Sequence, residues 1–81
     1  MSIIRIQRNE KSYVILLKPF LDDRSISCGL KGFLMFMCQQ TPDCYNFSKI
    51  SKFFKEDENT IYSIIDEGIK HGYIVSEEDF E

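Results

Sequence analysis

The stretch from Ser48 to Ile74, SKISKFFKEDENTIYSIIDEGIKHGYI, leaves this chain little choice of local structure. Ile61, Ile64, Ile65 and Ile69 recur at the spacing of one helix face, and Ile50, Phe53 and Phe54 do the same over a shorter segment before them. Between the two lies Lys55-Glu56-Asp57, and Asp57 can cap the second helix by accepting its free N–H groups. Gly72 stands where a helix must turn left-handed, and Tyr73 can fold back onto the last turn. Two helices joined by about three polar residues are a helix-turn-helix candidate. It spans about residues 48–72 and puts the Glu58–His71 helix in the recognition position.

Upstream, residues 2–7 and 12–17 read as the strands of a β-hairpin around a polar turn, Arg8 to Lys11. The second strand is a nearly continuous apolar run, which implies cover on both faces. Pro19 ends it, because proline cannot donate to a ladder. Phe20 and Leu21 are expected to dock on the core, and Asp22-Asp23-Arg24-Ser25 is a loop. Ser27 is a good N-cap for a helix to about Gln40. The stripe Leu30, Phe33, Leu34, Met37 and Cys38 follows the i, i+3, i+4, i+7, i+8 pattern of a core-facing helix. Gly29 and Gly32 weaken that helix by roughly 1 kcal/mol each, so they are expected to admit another backbone closely. Met35 and Phe36 fall off the stripe. They are expected to pack under the hairpin, with an apolar patch for a dimer or partner as the alternative.

Thr41-Pro42-Asp43 stops this helix, and Cys44 to Phe47 is a short connection or a one-turn strand. After Gly72, Tyr73 to Val75 can form a third strand, followed by an acidic tail over 76–81. The order of strand, strand, three helices and strand predicts a single α+β domain over 1–81. It is a small winged helix-turn-helix with an N-terminal hairpin, a short C-terminal strand and a reduced wing.

Composition removes whole classes of function. Eighty-one residues support one small core, and a hydrophobic share of 43% is too high for disorder. Cys28, Cys38 and Cys44 form no close C-x-x-C pair, and with one His they make no usual zinc set. They point to reduced thiols in a cytoplasm. No apolar run reaches membrane-spanning length. There is no nucleophile elbow and no Gly-rich phosphate loop, so neither enzymatic activity nor a cofactor is expected. Asp22-Asp23 reads as a loop cap, Cys38 as core, and His71 as a cation favoured by a helix C-terminus.

The residues from Tyr13 to Ile74 resemble the helix-turn-helix domains of Firmicute phage and plasmid replication proteins, such as DnaD-like replisome organisers and plasmid replication initiators. The family's S-L-K-A-K-G-L helix start stands here as Ser27-Cys-Gly-Leu-Lys-Gly-Phe33. Its F-S-x-x-x-L-A opening is similar to Phe47-Ser48-Lys-Ile-Ser-Lys-Phe53. Its A-I-Y-S-A-L-K-E-L-E-x-x-G-Y segment is similar to Thr60-Ile-Tyr-Ser-Ile-Ile-Asp-Glu-Gly-Ile-Lys-His-Gly72-Tyr73. The resemblance implies a winged helix that binds DNA. Family members usually continue into a basic two-stranded wing, where this sequence runs into Glu77-Glu78-Asp79-Phe80-Glu81.

For double-stranded DNA, Lys49, Lys52 and Lys55 recur every three residues and would hold phosphates where the first helix crosses the backbone. Asn59 would read an adenine edge, Tyr62 and Ser63 would reach phosphates or bases, and Lys70 adds a cation farther along. Arg5, Arg8 and Lys11 form a second basic group on the hairpin. The formal net charge of −3 pulls the other way. Asp57, Glu58, Asp66, Glu67, Glu77, Glu78 and Asp79 would repel phosphate and would suit a basic protein surface instead. Two functions follow. One is a DNA-binding module of a phage or mobile element, acting in replication or transcription regulation. The alternative is a protein-interaction module or phage-encoded inhibitor of a host replication factor, nuclease or CRISPR effector. A homodimer is compatible with both.

Overall fold

The computed structural model describes residues 3–8, 11–39 and 44–79, with the backbone alone at 44, 45 and 79. Strands β1 (Ile3–Arg8) and β2 (Lys11–Leu16) pair antiparallel in the register Ile3↔Leu16 to Arg8↔Lys11. The hairpin is therefore paired as far as the two basic residues expected in its turn; Ser2, Asn9 and Glu10 lie outside the described residues. Helix α1 (Cys28–Cys38) leads to β3 (Cys44–Asn46), α2 (Phe47–Ser51), α3 (Glu58–Lys70) and β4 (Ile74–Ser76), with a 3₁₀ turn at Glu77–Asp79. Strand order is β3-β1-β2-β4. β3 runs parallel to β1 and β4 antiparallel to β2, so the N-terminal hairpin fills the centre of a four-stranded mixed sheet. The stop expected at Thr41–Asp43 lies outside the described residues. The fold is a small α+β domain, and none of its described helices is long and apolar enough to cross a membrane.

The helices cover one sheet face. Ile4 and Ile6 of β1, Tyr13 and Ile15 of β2 and Ile74 of β4 meet Leu30, Phe33, Leu34 and Met37 of α1, Ile50 of α2, and Ile61 and Ile65 of α3. The apolar run of β2 has its expected cause. Val14 points away from the helices, paired between Arg5 and Val75, and is fully buried, with the Glu77–Asp79 turn packed against β2.

Several expectations about packing are corrected. Phe20 docks on the core, but Leu21 is 58% exposed, and so faces water. Cys38 is exposed, because the buried stripe of α1 closes at Met37 and Cys38 ends the helix. Ile69 is exposed as well; Gly68 takes the core position there. Gly32 meets nothing within 4 Å and Gly29 meets the side chain of Ile64, so neither admits a backbone. The close approach belongs to Gly68, where an added Cβ would collide with the side chain of Ile74 and press on Leu30. Phe36 packs on Phe53 and Phe54 rather than under the hairpin, and Met35 is exposed.

The helix ends follow local chemistry closely. Ser27 caps α1 by accepting from the Leu30 N–H at 3.1 Å, and Asp57 caps α3 by accepting from the Thr60 N–H at 2.8 Å. That bond holds the Asp57 carboxyl below its ordinary pKa. α3 closes with Gly72 at φ +82°, Gly72 N–H to Ile69 O and Tyr73 N–H to Gly68 O, a glycine stop that satisfies two orphan carbonyls. Tyr73 then donates to Asp23 at 2.6 Å, tying the loop after β2 to the end of α3.

Candidate nucleic-acid interface

α2 is only five residues long, Phe47 to Ser51, capped by Asn46, whose side chain accepts from the Lys49 N–H at 3.0 Å. It starts and stops earlier than its apolar spacing implied. Phe53 and Phe54 consequently lie in the connecting bend, and Phe53 is 64% exposed instead of facing the core. The lysine stripe changes with it. Lys49 is on α2, Lys52 is its C-cap and Lys55 sits in the bend; all are exposed. They occupy one segment leading into α3, but they do not form a helical row.

α3 turns Asn59, Ser63, Asp66 and Lys70 outward, at i, i+4, i+7 and i+11, and all are exposed. Ser63 donates to the Asn59 carbonyl at 3.1 Å. Lys70 lies about 16 Å along the axis from Asn59, given a rise of about 1.5 Å per residue, so the two serve opposite ends of the helix. Glu58 is exposed at the first turn, where a carboxylate is favoured by the helix dipole.

Tyr62 is half-buried and its ring is engaged within the fold. Its ring stacks on Phe47 at 4.1 Å, and the Arg8 guanidinium lies 3.4 Å from its centroid. Arg8 also donates to the Tyr13 hydroxyl at 3.4 Å. The hairpin tip is thereby fastened to the first half of α3. Beside this stack lies a groove of about 270 Å³ lined by Gln7, Asn46, Phe47, Ser48, Glu58 and Tyr62. Sequence reasoning missed Gln7, Asn46 and Ser48; the spacing of Asn46 from Lys49, that of a cap and its third helical residue, was the available signal.

The second basic group divides. Arg5 pairs with Val14 on the sheet face away from the helices, Arg8 is committed to Tyr62, and Lys11 is exposed at the hairpin end. β4 runs back toward that end, so its antiparallel register carries Glu77 and Glu78 to the Lys11 side of β2. The acidic set is also smaller than expected. Asp57 is a helix cap. Glu67 accepts from the Ser27 N–H at 2.7 Å and from the Ser27 hydroxyl at 2.6 Å, which holds its carboxyl below the ordinary value. Glu67 thus gives the N-terminus of α1 the negative charge that its own first turn lacks. Glu58, Asp66, Glu77 and Glu78 remain exposed. The Asp79 side chain, Phe80 and Glu81 lie outside the described residues. Among the described residues no three His, Cys, Asp or Glu side chains gather as metal ligands.

No family model, curated protein or solved structure matches the chain. The functional reading therefore rests on the residues and their geometry.

Proposed function

We propose that the chain is a small winged helix-turn-helix module that binds duplex DNA, serving replication or transcription regulation of a phage or mobile element in the cytoplasm. The observation that carries this reading is the outward stripe of α3, polar along its whole length, with the exposed Lys49, Lys52 and Lys55 in the segment leading into it. In this reading α3 enters the major groove from its N-terminal half, where Asn59 and Ser63 meet base edges. The lysines hold phosphates and set the register. The N-terminal hairpin lies between β3 and β4 at the centre of the sheet, and in this reading the wing is reduced to β4. Arg8 on Tyr62 holds that hairpin against the reading helix instead of touching phosphate itself. Asp66 sits beyond Ser63 and limits how deep α3 can sit without meeting phosphate.

A second reading is favoured by a different observation. Glu58, Asp66, Glu77 and Glu78 are exposed on a chain of net charge −3. That surface suits a protein-interaction module or inhibitor that occupies a basic site on a nucleic-acid-binding protein.

Charge reversal separates the two. Lys49→Glu with Lys52→Glu is expected to weaken duplex binding by at least tenfold across all sequences, while Asn59→Ala acts on some sequences only, both read by fluorescence anisotropy. Unchanged DNA binding in both variants would exclude this mode.

A further inference from the structure

The end of β1, the β3–α2 junction and the first turns of α3 meet around the groove lined by Gln7, Asn46, Phe47, Ser48, Glu58 and Tyr62. Its volume of about 270 Å³ lies near the lower end of the roughly 300–1,000 Å³ range of small-molecule sites. Apart from its two aromatic rings the lining is polar: two amides, a hydroxyl and a carboxylate. Little of that hydrogen-bonding capacity is spent. Asn46 accepts from the Lys49 N–H through Oδ1, which leaves its NH₂ group. Among the described residues, the side chains of Gln7, Ser48 and Glu58 have no hydrogen-bond partner. Tyr62 is closed on both faces, by the Phe47 ring at 4.1 Å and by the Arg8 guanidinium at 3.4 Å. A ligand therefore cannot stack on it and must be held by hydrogen bonds. Arg8 over Tyr62 and Glu58 in the lining bring opposite charges to the groove. An ion of either sign would meet its like there; a neutral group with both donors and acceptors would not.

We propose that this groove takes an unpaired guanine base by its Watson–Crick edge. That edge presents two neighbouring donors, N1–H and N2–H, which match the two oxygens of the Glu58 carboxylate. Beside them O6 accepts, as the NH₂ of Gln7 or Asn46 requires. Adenine and cytosine set a bare ring nitrogen next to their amino group, and thymine flanks its single N–H with carbonyls. Each of these would aim a lone pair at Glu58, and selection comes from that repulsion as much as from the bonds to guanine. In a duplex the same edge is already paired, so the base belongs to a single strand or to a free nucleotide. The site is separate from the outward stripe of α3 and does not depend on duplex binding.

The test is titration of the full chain with the monophosphates of guanosine, adenosine, cytidine and thymidine, followed by amide NMR spectra, in wild type and in Glu58→Gln. Duplex DNA is absent, so failure of the duplex reading leaves the result legible. Glu58 is exposed at the first turn of α3 and the amide has the same shape, so the fold is expected to survive; circular dichroism checks it. Guanosine monophosphate is expected to shift the amide signals around the groove and to bind at least tenfold tighter than the other three. Glu58→Gln is expected to abolish that preference. A short thymidine strand carrying one guanosine binds tighter than the mononucleotide if the base comes from a single strand, and no tighter if a free nucleotide is the ligand. No shift with millimolar guanosine monophosphate overturns the proposal. So does equal binding of all four, or a guanine preference that persists in folded Glu58→Gln.

Discussion

α1 and α3 pack against each other over the same sheet face, and they turn outward stripes of identical spacing. On α3 the positions i, i+4, i+7 and i+11 are Asn59, Ser63, Asp66 and Lys70; on α1 they are Cys28, Gly32, Met35 and, at its C-cap, Gln39. Both core faces are buried, that of α1 through Leu30, Phe33, Leu34 and Met37 and that of α3 through Ile61, Ile65 and Gly68. The outward faces differ because folding does not dictate them. A helix needs its outer stripe only to tolerate what it meets, and these two stripes differ in charge: that of α3 carries Asp66 and Lys70, that of α1 carries none.

The glycines of the two helices give the sharpest way to break that comparison. Gly68→Ala should destabilise by about 1–3 kcal/mol, the usual cost of overpacking a filled site, because the new methyl collides with Ile74. Gly32→Ala should stabilise the fold by about 1 kcal/mol through helix propensity alone, since nothing lies within 4 Å of it. Urea unfolding measures both, and effects of the same sign would mean that the buried Gly68 and the open Gly32 sit in equally filled surroundings.

A smaller effect lies at the far end of α3, in acid. Two bonds from Ser25 and one from Tyr73 hold the Asp23 carboxyl at about 2, down from 3.8. The ionised form is therefore the one that the fold favours. Its contribution is complete above pH 3.8 and disappears as the pH falls through about 2. Asp23→Asn should flatten the melting-temperature profile across that window. A profile as steep as wild type would mean that the Asp23–Tyr73 link does not hold α3.

What the sequence revealed and what it hid divide by distance along the chain. Ser27, Asp57 and Gly72 act on backbone groups a few residues away, so their roles as caps and stop were readable from local spacing. The hairpin and the core stripes of α1 and α3 were readable for the same reason. α2 was not: Phe53 and Phe54 kept helical spacing after Ser51, although the helix had already ended. Burial of Ile69 was inferred from periodicity alone, while Gly68 won the core position because Ile74 needs the room of a missing side chain. The candidate site suffered most. Arg8 and Tyr62 lie far apart in sequence, as do Ser27 and Glu67, and no local pattern announces such pairs. Residues that looked available for a ligand, Tyr62, Arg8, Asp57 and Glu67, proved to be holding the fold.

The most direct test of the account is the salt dependence of binding to random-sequence duplex DNA by the unmodified chain. If Lys49, Lys52 and Lys55 hold about three phosphates, the logarithm of the binding constant should fall with the logarithm of salt concentration at a slope of about −2.7. Binding that does not change with salt, or no binding at low salt, would contradict phosphate contact and assign the polar face of α3 to a protein partner.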